Sequence, residues 1–423
     1  MKQYALASLA ALCVKVVVAE KEVFAHYMVG LTYGQTRDEW ALDITDAKGA
    51  GIDGFALNIG SQDTQNLEQL QMAYDVAGEN DFLLFLSFDM AASHWDAGPI
   101  ADNITAYKDL PAQFKIDNRA VVSTFEGPSQ ADDWAGIRTG VDGGIYLIPD
   151  WASLGAEGVG SKLDIIDGAF NWGAWPEANQ DAMTTGNDVA YKSALQGKPY
   201  MMGVSPYFYT YFPQYDPPKT WYSSSESLWF DRWQQVLDVQ PELIEIITWN
   251  DYGESSYINA PRDHQITEGA EVWAKGVDHT AFRFVLPYFI SAYKAGNADV
   301  DLPSQGAVAW YRTTSATVCD AGGAVWGQGG SAPAADGAKD VVSIIALTND
   351  AADVKVQIGG ADASVEAKGS VGKASFFEAS FEGMTGAVTV TVNGQSTTGA
   401  EITGDCPSSG RVNFNAVAIE VDI

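Results

Sequence analysis

The chain has 423 residues, more than one ordinary compact domain needs, and its 46% hydrophobic content supplies a large core and excludes a disordered composition. Lys and Arg number 24 against 55 Asp and Glu, a formal net charge of −31. A polyanion of that size repels nucleic acid and anionic membranes, so the expected partner is neutral.

The first residues, MKQYALASLAALCVKVVVAEKE, have the pattern of a secretory signal peptide over residues 1–19. Lys2 gives the charged start, Tyr4 to Val14 the apolar run, and the stretch ending at Ala19 a small-residue cleavage site, although Lys15 interrupts it. No later apolar run reaches the length of a membrane span. Cys13 falls inside the signal and leaves Cys319 and Cys406, both in the C-terminal part. In an oxidising compartment an even pair implies one disulfide, here across a separation of 87 residues. By the chain-entropy description it contributes roughly 4 kcal/mol. Asn103-Ile-Thr105 is the one N-glycosylation sequon.

From about residue 22 to 298 apolar runs alternate with helical patterns. The runs are VFAHYMVG (23–30), GIDGFALNIG (51–60), FLLFLSFDM (82–90), VVSTFEG (121–127), GGIYLIPDW (143–151), DIIDGAFNWGAW (164–175), YMMGVSPYF (200–208) and LIEIITWND (243–251). They are continuous rather than alternating, as parallel strands covered on both faces are. Thr36 to Glu39 fits a capping box, with Trp40, Ile44 and Ala47 on one face of the helix that follows. Leu67, Leu70, Tyr74 and Ala77 repeat at helical spacing. NDVAYKSALQGKP ends on a Gly and Pro stop, and SESLWFDRWQQVL carries Leu228, Trp229, Trp233 and Val236. Eight strand–helix units predict a (β/α)8 TIM barrel over residues 20–300. A doubly wound open sheet would call for a Gly-rich phosphate loop after its first strand, and none is present.

Past residue 300 the composition shifts to Gly, Ala, Val, Thr and Ser. Alternating runs such as DVVSIIALT, VKVQIGG, ASFFEASF and AVTVTVNG, with turn signals such as Asn393-Gly394, predict a β-sandwich accessory domain over residues 301–423.

In a TIM barrel the chemistry sits at the carboxyl ends of the strands. The polar candidates there are Asp53, Asn58, Asp89, Glu126, Asp150, Asn171, Asn250, Asp251 and Glu254, with His26 and His94 near two strand ends. Trp151, Trp172, Tyr207, Trp249 and Tyr252 lie among them. Carboxylates accept hydrogen bonds from sugar hydroxyls and aromatic rings stack on sugar faces, so an acid-rich cleft with aromatic walls suits a neutral polysaccharide. Hydrolysis of a glycosidic bond needs one carboxylic acid for the leaving oxygen and one carboxylate as base or nucleophile. Asp251 and Glu254 are the strongest pair: they follow the last strand run directly, with Gly253 between them and Trp249 beside them. Asp89 and Asp150 have a plainer reading as caps of following helices or neighbouring backbone. The four His form no HExxH or other tight ligand pair, and no G-x-S-x-G elbow occurs, which disfavours zinc and α/β-hydrolase chemistry. Nothing in the sequence calls for a metal, nucleotide or organic cofactor.

VFAHYMVG, GIDGFALNIG and TWNDYGES, in that order, together resemble the fungal α-1,3-glucanases called mutanases, glycoside hydrolase family 71, and the similarity extends to NFNAVAIEV near the end. The resemblance implies hydrolysis of α-1,3-glucan, the neutral wall polymer of fungi, with inversion at the anomeric carbon; the expected protein is a secreted, endo-acting monomer. It also implies three essential acids, Asp53, Asp251 and Glu254. Of the last two, Glu254 is the one favoured here as proton donor, with Asp53 supporting the pair. The rivals are a glucan-binding barrel without activity and a glycosidase of the same fold cutting another linkage.

Overall fold

The computed structural model describes residues 21–423, so the expected signal peptide lies outside the described residues. All eight apolar runs form strands: β1 Glu22–Met28, β2 Gly54–Gly60, β3 Leu83–Asp89, β4 Arg119–Phe125, β5 Ile145–Leu147, β6 Ala169–Asn171 and β7 Tyr200–Val204, and then, after a hairpin of β8 Tyr209–Phe212 with β9 Lys219–Tyr222, β10 Leu243–Ile246. The hairpin is not among the runs read from the sequence.

Strands β4, β3, β2, β1, β10, β7 and β6 are hydrogen-bonded in that order, all parallel, with β5 on the free edge of β4. Asp150 bridges to Phe125 at the end of β4 and to Phe170 in β6, so the sheet curls round on itself. Alternation along the strands divides the apolar residues between two cores. Phe24, Ala56, Phe85, Phe170 and Met201 fill the inside of the curl, whereas Val23, Ala25, Phe55 and Leu57 pack outward against helices.

The helices lie where the spacing places them. Arg37–Gly49 starts with Thr36 accepting from the Glu39 amide while Glu39 reaches back to the Thr36 amide, the expected reciprocal cap. Trp40, Ile44 and Ala47 are its buried face. Asn66–Glu79 buries Leu70, Tyr74 and Ala77 but leaves Leu67 exposed, because Leu67 stands in the first turn, on the solvent side. Gly186–Ala194 and Leu228–Val239 occupy the other two predicted positions. Leu286–Ala295 packs back toward the amino-terminal ends of the strands, and Gly51 packs against its Ile290.

The C-terminal region holds two antiparallel sheets. One is ordered Val365–Val371, Ala374–Ser380, Val341–Leu347, Gly306–Tyr311 (β11), Val417–Asp422; the other Ala361–Ala363, Val354–Ile358, Gly386–Val392, Gln395–Ile402. They share a core of Ala307, Ile344, Val356, Val388 and Val390. This region is welded to the strand–helix region. Phe230 stacks on Phe376 with centroids 5.3 Å apart, a contact of about 0.5–1.5 kcal/mol beyond area burial. Trp310 donates its indole N–H to Ser225 O at 3.2 Å, and buried Arg312 pairs with Glu226 at 3.2 Å and Asp340 at 2.6 Å. A short strand β12, Val325–Trp326, pairs in parallel with β9. Cys319 and Cys406 are joined, their Cα atoms 5.6 Å apart. Asn103 sits within the helix Ala97–Tyr107, half-buried, and its Nδ2 donates to Pro99 O at 2.9 Å.

Candidate active site

At the carboxyl ends of the strands lies a cavity of about 530 Å³, a size suited to a small ligand or one or two sugar rings. Its lining includes Phe125 and Glu126 from the end of β4, Asp150, Asn171 and Trp172 from the end of β6, and Trp175. The hairpin adds Lys219 and Trp221, and the loop after β10 adds Glu254. The carboxylates Glu126, Asp150, Glu177 and Glu254 face one cation, Lys219.

Beneath the cavity His26 on β1 and Glu245 on β10 form a fully buried pair, Nδ1 to Oε1 2.6 Å, and the imidazole meets Trp172 edge to face at 4.8 Å. A buried charge is costly unless paired, which fixes this partnership. Asn250 ties the loop after β10 to β1: its Oδ1 accepts from Met28 N at 2.8 Å. The loop then turns over on itself. Thr248 Oγ1 accepts from the Asp251 amide at 2.8 Å, and Asp251 Oδ1 accepts from the Glu254 amide at 3.0 Å. Glu254 forms an ion pair with Lys219, which β9 holds over it. Burial, then the neighbouring Glu254, push the Asp251 carboxyl up to about 7. The two acids three positions apart thus have unlike surroundings: Glu254 is in contact with Lys219, whereas Asp251 sits desolvated beside another acid and feels Lys219 only as a weaker, offsetting charge.

Asp150 is fully buried, with Oδ1 accepting from Ala152 N at 3.1 Å; burial and the nearby Glu126 raise its carboxyl well above the carboxylate range. Glu126, in a left-handed conformation at φ 55°, accepts from both the amide and the hydroxyl of Ser153. Asn171 accepts from Gly173 N at 3.1 Å.

Other expected site residues are placed elsewhere. Asp53 does not join the acid pair. It precedes β2 at the amino-terminal end of the strands, a strand length of seven residues, roughly 20 Å, from the cavity. There it accepts from Val23 N at 2.8 Å and pairs with Lys294 at 2.6 Å. Burial, then Asp53 itself, push the adjoining Glu22 up to about 7. Asp89 accepts from the amides of Ala91 and Ala92, which is the plainer capping role. Trp151, Trp249 and Tyr252 are fully buried core side chains, and Tyr207 turns its hydroxyl to Phe414 O at 2.7 Å. Asn58 is buried at the end of β2, and His94 is exposed beside Asp96. Asn250 acts through the backbone of β1 rather than on the cavity. Lys219, Trp221, Phe208 and Gln328 line the cavity and were not read as site residues. A visible signal was the aromatic density of YFYTYF and KTWY on either side of a Pro-rich turn. Among the described residues no cluster of His, Cys, Asp and Glu has the arrangement to hold a metal ion.

The description "Glycosyl hydrolase family 71" matches residues 19–422. The chain belongs to that family. Among curated relatives, the glucan endo-1,3-alpha-glucosidase agn1 of Schizosaccharomyces pombe is 39% identical over 311 residues, 70% of this chain and 71% of the relative. A mutanase of Penicillium rubens is 36% identical over 349 residues, 80% and 75% of the two chains. The ascus wall endo-1,3-alpha-glucanase of S. pombe is 30% identical over 80% and 82%. A solved family 99 endo-alpha-mannosidase from Bacteroides thetaiotaomicron superposes with a TM-score of 0.50 over 65% of this chain and 98% of that one. At 10% identity this is a likeness of fold. The family 71 chain is therefore a glycoside hydrolase.

Proposed function

We propose that the family 71 chain hydrolyses α-1,3-glucosidic bonds of fungal α-1,3-glucan, acting within the polymer and inverting the anomeric carbon. The observation that carries the reading is Glu254 lining a cavity walled by Trp172, Trp175 and Trp221, with Asp251 just behind it accepting from the Glu254 amide, in a chain whose relatives bear the names of α-1,3-glucanases.

Asp251, held near 7, keeps its proton at mildly acidic pH and donates it to the departing glycosidic oxygen. Glu254, ion-paired with Lys219, is the carboxylate that takes a proton from the attacking water. This reverses the preference for Glu254 as donor that the sequence suggested, because Lys219, the partner that separates the two roles, was not recognised there. Water then adds to the anomeric carbon from the opposite face, and the bond to the leaving oxygen breaks as that oxygen gains the proton.

The fold reading that accompanies this is a (β/α)8 barrel over residues 20–300, closed through Asp150, and a β-sandwich over residues 301–423. A secreted monomer, cleaved after Ala19, fits the N-terminal pattern and the joined cysteines. Reducing-sugar release from α-1,3-, β-1,3- and α-1,4-glucans tests the linkage. Release from the first alone is expected; adsorption without new reducing ends would favour a binding protein. Proton NMR of the first product should give the β-anomer, and an initial α-anomer would contradict inversion.

A further inference from the structure

One side chain that lines the cavity, Gln328, comes from the C-terminal region. The segment Cys319–Pro333 leaves that region, runs to the hairpin and returns. Cys319 at its start is held to Cys406. Its strand β12 pairs with β9, Trp221 opposite Val325 and Tyr222 opposite Trp326. Gly327 N donates to Tyr222 O at 2.7 Å, and the Trp326 indole N–H donates to Ser224 Oγ at 2.9 Å. Asn179, in the loop that carries the lining residues Trp175 to Ala178, locks the far side. Its Oδ1 accepts from the amides of Ser331 and Ala332, and its own amide donates to Trp326 O at 3.1 Å. The two backbones touch: Gly327 has φ 78°, and a Cβ there would come within 2.8 Å of Ala178 Cα, so only glycine allows this approach. The segment is thus fastened at its base, along β9 and across the cavity mouth, and between those fastenings it presents Gln328, an exposed side chain lining the same cavity as Glu254 and Trp172.

We infer that the segment Cys319–Pro333 is a built wall of the substrate cleft and that Gln328 binds a hydroxyl of a glucosyl unit other than the one whose bond is cut. A primary amide offers two donors and an acceptor without a charge, which suits a hydroxyl-rich neutral chain. It cannot supply or take a proton in the reaction, so its contribution is to substrate recognition. Every other side chain lining the cavity belongs to the strand–helix region. The C-terminal region therefore takes part in choosing where along the glucan the bond is cut.

The inference rests on the hydrolase reading, and the test separates the two. Initial rates are measured on soluble α-1,3-glucooligosaccharides of increasing length for the full chain, for Gln328→Ala and for Asn179→Ala, which keeps Gln328 but removes the side-chain fastening of its loop at Ser331 and Ala332. If the unaltered chain cleaves a different glucan, the functional reading fails and the comparison is made on that glucan. Loss of one neutral hydrogen bond predicts a KM raised about 3- to 10-fold, exceeding any fall in kcat, and a shifted ladder of product lengths in both variants. Thermal unfolding of Gln328→Ala should match the unaltered chain. An unchanged KM and an unchanged product ladder in both variants would overturn the inference.

Discussion

Asp251 carries opposite consequences for activity and stability. Its carboxyl titrates near 7 in the folded chain, against an ordinary aspartate near 4 when unfolded. Across that window the folded chain holds a proton that the unfolded chain has released, so stability from this group falls as pH rises from about 4 to 7. In its proposed role as general acid it must be protonated, so activity should also fall as pH rises through about 7. Asp251→Asn removes the proton donor but not the volume. It should lower kcat by about 10²- to 10⁴-fold while raising the melting temperature at pH 7.5, and that gain should vanish near pH 4. Calorimetry at the two pH values checks the sign; a melting temperature lowered equally at both would refute it.

Asp53 shows how far sequence carries at this scale. An acid at the edge of an apolar run is visible in GIDGFALNIG, but which rim of the sheet it occupies is not. Charges at either rim reach water or a partner, and both look alike in one dimension. Its partner Lys294 is 241 residues away. Asp53→Asn should therefore cost roughly 1 kcal/mol of stability, the scale of a part-exposed ion pair with one backbone hydrogen bond, and leave kcat per folded molecule unchanged. Abolished turnover in a fully folded variant would restore Asp53 to the reaction. Trp151, Trp249 and Tyr252 are the converse case. Aromatics beside acids read as cleft walls, yet the same apolar area also drives them into the core, and here it does.

At the scale of elements, the strands were legible because both faces of each are covered, so the runs are apolar on both faces apart from isolated polar residues such as His26, Asn58 and Glu245. The first helix was legible because Thr36 and Glu39 satisfy each other's backbone at fixed spacing. The hairpin β8–β9 was not, since its strands are four residues each, five of the eight residues aromatic, and separated by a turn rich in Pro. That omission hid Lys219, the cation on which the proposed division of roles between Asp251 and Glu254 rests. Because β9 delivers a charge and not a shape, Lys219→Arg should retain most activity, whereas Lys219→Met should lose about 10- to 100-fold in kcat, the scale of a hydrogen bond to a charged group. Steady-state kinetics decides it, and equal losses in the two variants would mean that the hairpin acts by packing alone.

Over the whole molecule, two composition regions proved visible in the sequence, but their union was not. Contacts between residues such as Phe230 and Phe376, or Tyr207 and Phe414, leave no local pattern because the partners are more than 140 residues apart. Phe230, Trp310 and Phe376 belong to the same core as the strand–helix layer. A chain ending at residue 300 would expose that apolar face and leave the buried Glu226 without Arg312. It should be insoluble or aggregated when expressed, as assessed by size-exclusion chromatography; a monodisperse, folded fragment would mean that the two regions are independent. The net charge of −31 belongs to this scale too. It keeps the molecule soluble without hindering approach to an uncharged polymer.

Reducing-end release from insoluble α-1,3-glucan by the unaltered chain, Asp251→Asn and Glu254→Gln, with folding verified for each, bears on all of this at once. Rapid release by the first and a loss of at least about 10²-fold in each variant is the predicted result. Turnover undiminished by either amide, or none from α-1,3-glucan by the unaltered chain, would contradict it.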